Sequence, residues 1–132
     1  MAYMLDTNIV SDAVRNPSGV AARKIGSVGV GRLCVSIIVA AEVRFGVLKK
    51  TSPVLSGRIE ALLQQIPIMP IKPPVDEYYA DLRVRLEQAG TPIGQNDLWI
   101  AAHALAQDCV LVTDNIREFS RVKSLRVENW LR

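Results

Sequence analysis

Residues 3–5, 33–35, 66–71 and 109–112 form four short apolar runs of strand length, each bounded by polar or chain-breaking residues. The longer segments between them carry the periodicity of helices. That alternation is the strongest constraint in the chain. Strands separated by helices are joined through crossovers, and crossovers build a parallel sheet covered by helices. The expected fold class is therefore α/β, with a parallel β-sheet of four to five strands flanked by helices. The fifth strand is the short run 125–127 before Glu128, placed at an edge. Helices are expected over 9–15, ended by Asn16-Pro17-Ser18-Gly19; over 20–28; over 37–50 behind a Ser36 cap; over 54–65; over 75–89, closed by Gly90; and over 97–107 after Asn96.

With 132 residues the chain is of ordinary single-domain size and needs no disulfide or structural metal to hold a core. Pro67, Pro70, Pro73 and Pro74 have the composition of a linker, yet neither side of them is long enough for a separate core. A single domain, 1–132, is expected. No apolar run reaches the roughly 18 to 20 residues of a membrane span, and no basic-then-apolar leader opens the sequence. A cytoplasmic protein is expected. Cys34 and Cys109 lie in apolar runs without CxxC spacing or a neighbouring His, and read as buried thiols rather than zinc ligands.

Four acids fall at informative places on this framework. Asp6 ends the first strand, Glu42 interrupts AAEV within the third helix, Asp97 opens the last long helix and Asp114 ends the fourth strand. Strand ends of an open α/β sheet form the edge at which ligands bind. Taken singly, Asp6 reads equally as a helix cap, Asp97 as a helix-start acid favoured by the dipole, and Asp114 before Asn115 as a turn residue. Glu42 has no such alternative, because Ile38, Val39, Val43 and Phe45 are its helix neighbours and an unpaired carboxylate among them is costly. Carboxylates brought close together raise one another's pKa, and a divalent cation relieves the repulsion. Hard oxygen donors without Cys or paired His point to Mg2+, with Mn2+ the other option.

The segments LDTN, AAEVRFG, GQNDLWIAAHA and LVTDNIREF, in that order across nearly the whole chain, resemble PIN-domain proteins of the VapC family. That family supplies the toxins of type II toxin–antitoxin pairs. The resemblance implies a PIN-like parallel sheet, metal-dependent RNA cleavage, a cognate VapB-like antitoxin covering the active site, and a homodimer. It places the family's metal-binding aspartates on Asp6 and Asp97, its helix glutamate on Glu42 and its more variable fourth position on Asp114. Asn8 and Thr113 match residues that support the site by hydrogen bonds. The Ile- and Leu-containing helix before the prolines suits a dimer interface and reads equally well as an ordinary core face.

Such a site directs a water in line at phosphorus. Cleavage then leaves a 5′-phosphate and a 3′-hydroxyl and makes no use of the ribose 2′-OH. Formal charge suits an RNA substrate, transfer or ribosomal: the net +3 becomes +7 once the four acids are set aside, with nine acids left against 16 Lys and Arg. Arg15, Arg44, Lys49 and Lys50 flank the acidic motifs and are candidate phosphate contacts. His103, the one histidine, lies two turns into its helix and is expected to pack; Trp99, Trp130, Tyr78 and Tyr79 are left unassigned to substrate.

Two other readings compete. A haloacid dehalogenase-type phosphatase also places an Asp at its first strand end, but carries a second Asp two residues on, where this chain has Asn8. A non-catalytic RNA- or partner-binding module with the same fold would have no need of Asp6, Glu42 and Asp97 together.

Overall fold

A computed structural model describes residues 2–132. Among these, five strands form one sheet: β1 (Ala2–Leu5), β2 (Leu33–Ser36), β3 (Ile68–Met69), β4 (Cys109–Val112) and β5 (Val127–Glu128). Their order is β3-β2-β1-β4-β5, and every neighbouring pair is parallel. The helices are α1 (Thr7–Arg15), α2 (Val20–Val28), α3 (Ile37–Lys50), α4 (Pro53–Gln65), α5 (Val75–Gln88), α6 (Gln95–Ala106) and the one-turn α7 (Ile116–Phe119). A 3-10 turn over Val30–Arg32 leads into β2.

All four residues of β2 and of β4 are buried, as strands covered on both faces must be. From β1 the chain steps twice to one side and then returns to the other side of β1. Right-handed crossovers therefore set α1 to α4 on one face and α5 with α6 on the other. The contacts agree: α1 packs on α2, α3 and α4, while α5 packs on α6 and α6 on β4. Leu5, Ile9, Val35, Ile100, Leu111 and Phe119 are fully enclosed at the centre.

Several expectations shift for identifiable reasons. β3 shrinks to two residues because Pro67 and Pro70 flank it and cannot donate to a ladder; Pro67 instead accepts from the Val35 N–H at 3.0 Å. The proline-rich stretch is thus the connection from sheet to α5 and links no separate core. The helix expected to suit an interface buries Ile59 and Leu63 in the core and leaves Val54 61% exposed, while Phe45 and Leu48 of α3 are exposed at 66% and 74%. Among the described residues no helix is long and apolar enough to cross a membrane.

Candidate active site

β1 lies at the point where the chain reverses its direction across the sheet, so the crevice beyond the carboxyl ends of β1 and β4 is the natural place for a ligand. Asp6 stands there at the end of β1. Its N–H donates to the Val112 carbonyl of β4 at 2.8 Å, fixing the backbone to the neighbouring strand. Its carboxylate is held from two sides, by the Thr7 N–H at 2.8 Å and by the Thr113 hydroxyl at 2.7 Å. Asp6 therefore caps α1 and also presents a rigid, 5% exposed carboxylate to the crevice.

Glu42 arrives on α3, which starts where β2 stops. The Ser36 hydroxyl accepts from the Ile38 N–H at 3.1 Å and lies 2.8 Å from His103 Nδ1. This buried contact ties the start of α3 to α6, and burial lowers the His103 pKa, so the imidazole is a neutral packing element remote from the chemistry. Glu42 itself is half-buried, with Phe45 beside it on the helix largely exposed, so its setting is less apolar than the sequence suggests. Both of its oxygens are engaged: Thr7 Oγ1 donates at 2.5 Å and Asn96 Nδ2 at 3.1 Å. Asp97 follows in the first turn of α6. Asp6, Glu42, Asp97, Asn8 and Asn115 share one cleft of about 360 Å³.

A fourth acid joins them, and it is Glu118. The single turn of α7 swings it back toward α6, where it accepts from the Gly94 N–H at 2.7 Å and from Asn115 Nδ2 at 3.1 Å. The same Asn115 amide lies 3.4 Å from Asp97 Oδ2 and bridges the two acids. Asp114 is turned the other way. Its carboxylate accepts from Asn129 Nδ2 at 2.9 Å and sits 3.6 Å from Arg132, while its backbone N–H donates to Asn8 Oδ1 at 3.2 Å. Asn8 thus braces the exit of β4, and Thr113 the catalytic-edge carboxylate of Asp6.

The carboxylates repel one another. Burial raises the Asp6 pKa, the hydrogen bonds from Thr113 and Thr7 pull it back, and Glu42 and Glu118 push it up again. Asp97 is pushed up to about 7, first by burial, then by Glu118 and Asp6. Glu118 is held below its ordinary value by the Gly94 N–H, so the proton of the pair resides on Asp97. A cluster that retains a proton near neutrality lacks positive charge. Among the described residues no three Asp, Glu, His or Cys side chains are gathered closely enough to make a finished ion cage. The donor set still fits a hard divalent cation, being all oxygen, crowded and electrostatically under-compensated.

A stability prediction follows from the signs. Asp97 ionises at about 7 in the folded chain against 3.8 for the free side chain, so the folded state holds its proton more tightly than the unfolded state does. The resulting contribution to stability is complete below about pH 4 and is lost as pH rises through 7. In EDTA, Tm is expected to fall between pH 5 and 8 through this group. Added Mg2+ should restore it at pH 8 and do little at pH 5, as read by thermal denaturation.

The basic candidates separate cleanly. Arg44 is held by a bidentate pair with Glu60 at 2.9 and 3.0 Å, and Lys49 lies 6.0 Å from the Phe45 ring. Arg15 and Lys50 stay near the acids. Trp99 stacks on Tyr79 with centroids 3.9 Å apart and Trp130 is 3% exposed against Tyr3, so neither is presented as a free stacking face. Cys34 and Cys109 are buried thiols, their sulfurs 3.9 Å apart.

Comparison with known proteins shows the family and the fold. The family model for the PIN domain matches residues 3–125. The chain is 38% identical to Ribonuclease VapC2 of Haemophilus influenzae, with 99% of each chain covered. It is 32% identical to the tRNA(fMet)-specific endonuclease VapC of Shigella flexneri, with 98% of each covered. It superposes on a chain of the Rickettsia felis VapBC2 complex bound to a promoter DNA fragment with a TM-score of 0.89 and 36% identity, covering 98% of this chain and 99% of that one.

Proposed function

This chain belongs to the VapC ribonucleases of the PIN-domain family, and from that membership we propose that it is the toxin of a type II toxin–antitoxin pair, an endoribonuclease that hydrolyses RNA phosphodiesters. The observation that carries the reading is the convergence of Asp6, Glu42 and Asp97 on one crevice, with Glu118 bridged to Asp97 by Asn115 and Asp97 raised to about 7. Domain 1–132 acts as one unit in this reading, and the partner is a VapB-like antitoxin. The exposed Phe45 and Leu48 offer apolar area for a homodimer, and Leu48→Glu is expected to shift the protein to the monomer on size exclusion.

Mg2+, or Mn2+ in its place, would supply Lewis-acid activation of the phosphate and of the attacking water. Asp6 and Asp97 hold the ion directly. Glu42, its two oxygens already oriented by Thr7 and Asn96, adds a ligand or aligns the water. Glu118 takes the fourth acidic place in the cleft, and Asp114 acts from outside it by anchoring the C-terminal strand through Asn129. Water is the nucleophile in this reading and the 3′-oxygen leaves phosphorus, taking up a proton, so the products are a 5′-phosphate and a 3′-hydroxyl. Transfer RNA is the preferred substrate class, by analogy with the Shigella relative's name.

The test is incubation of total RNA with purified, antitoxin-free protein in Mg2+ or in EDTA, alongside folded Asp6→Asn. Cutting that requires the cation and is lost in the variant supports the nuclease. A folded protein that cuts no cellular RNA points to a non-catalytic binding module.

A further inference from the structure

From the acidic crevice a groove continues between α1 and α3, and its far end is basic. Thr7, Ser11 and Arg15 recur at four-residue spacing on α1, and Glu42, Gly46 and Lys50 recur at the same spacing on α3, and all six line this groove. Four-residue steps keep side chains on one face of a helix, so each helix presents one stripe to the other. The stripes are in register: Thr7 Oγ1 donates to Glu42 Oε1 where the groove joins the acidic cleft, Lys50 stands at the other end, and Arg15 lines both the groove and the cleft. Ser11 and Gly46, between the ends, are small and leave the groove open. A Cβ at Gly46 meets no heavy atom within 4 Å.

Most of the other basic side chains are engaged, and Lys72, Arg117 and Lys123, whose charged groups have no such partner among the described residues, do not line the groove. Arg44, Arg83, Arg85, Arg126 and Arg132 are paired with carboxylates, and Arg23, Arg58 and Arg121 donate to backbone carbonyls. Arg15 and Lys50 are exposed, and their charged groups have neither an ion pair nor a hydrogen bond among the described residues. A helix C-terminus favours a cation on either helix, but that preference does not turn both onto the shared groove. Eight residues of helix put Arg15 about 12 Å along α1 from Thr7.

We infer that this groove carries the RNA backbone away from the cleavage point, with Arg15 and Lys50 clamping a phosphate on the order of two nucleotides from the scissile one. The inference rests on the nuclease reading and adds to it a direction for the strand and a minimum substrate length. A single strand threads between the helices. Its bases face outward over Ser11 and Gly46, and the clamp is indifferent to sequence.

The test uses the full chain in an Asp97→Asn background with Mg2+, titrated against fluorescein-labelled single-stranded RNA oligonucleotides of graded length at several salt concentrations. Arg15→Gln and Lys50→Gln are each expected to weaken binding about 5- to 10-fold. Each should also reduce the salt slope of log affinity by about 0.7. The gap to the parent should grow with oligonucleotide length and close for oligonucleotides too short to reach the clamp, a dependence that a merely structural role for these residues would not produce. Gly46→Leu keeps every charge, improves helix propensity and fills the groove, and is expected to weaken binding as much as either charge removal. Lys123→Gln, outside the groove, serves as the control and should bind as the parent does. Equal affinity and salt slope for parent, Arg15→Gln and Lys50→Gln would overturn the inference, even if hexaglutamate bound the groove as an acidic peptide would. So would parent-like binding by Gly46→Leu, because the charges would then act without a bound strand between the helices. Cleavage of RNA by the unsubstituted protein is scored separately, so loss of the nuclease reading and loss of the groove are different results.

Discussion

Asp97→Asn is expected to lower RNA cleavage by about a thousand-fold or more while raising the stability of the metal-free protein. Both effects come from one carboxylate. On the proposed reading, removing its charge deletes a cation ligand whose transition-state contribution, at about 4 kcal/mol, corresponds to three decades in rate. In the absence of the ion that charge is a liability, since burial, Glu118 and Asp6 together hold its pKa near 7. The full shift overstates the gain because solvent reaches this half-buried group, and about 1 to 2 kcal/mol at pH 8 is the expected size after that discount. Denaturant melts in EDTA at pH 8, set beside cleavage rates in Mg2+, check both halves. A variant less stable than the parent and equally inactive would mean that Asp97 holds the fold and leave its place in the chemistry unsupported.

Glu118→Gln and Asp114→Asn should separate by one to two orders of magnitude. Glutamine keeps the oxygen that accepts from the Gly94 N–H, so α7 stays in place, but removes a negative charge from the cleft. A loss of about 10- to 100-fold in cleavage is expected, as for groups that tune a metal site. Asn at 114 retains an oxygen for Asn129 and forfeits only an exposed 3.6 Å pairing with Arg132. Its activity should stay within about threefold of the parent. Metal titration at fixed substrate supplies the mechanistic check, with the half-saturating Mg2+ concentration rising for Glu118→Gln and unchanged for Asp114→Asn. Reversed sensitivities would return the fourth acidic place to Asp114.

That exchange of acids marks where sequence reading stops. The parallel α/β sheet was legible because strand-length apolar runs alternate with helical segments, and on that framework Asp6 falls at a strand end, Glu42 inside a helix and Asp97 in a first helical turn. Asp114 and Glu118 sit only four residues apart, in TDNIREF, and which one faces the cleft depends on a single helical turn too short to show periodicity. The spacing Asn115-x-x-Glu118 did carry a signal, that of a helix start, and would have set Glu118 on the first turn. The amide contacts of Asn96 with Glu42 and of Asn115 with Asp97 left no comparable trace, because a side-chain amide that reaches an acid on another helix looks in sequence like any polar residue. The shortening of β3 was foreshadowed by Pro67 and Pro70. The pairing of Arg44 with Glu60 was not, since it joins two helices whose relative rotation only packing decides.

The position of β1 between β2 and β4 also imposes a timetable on synthesis. Asp6 and Glu42 leave the ribosome early, but Asp97 and Glu118 come from the last third of the chain, and the strand that supplies Thr113 must slide in beside β1 after more than a hundred residues have been made. Until β4 docks, Asp6 lacks both its neighbouring strand and the hydroxyl that orients it. A nascent chain consequently lacks the assembled carboxylate site during most of its translation, and the site can form only once the last strands have been made.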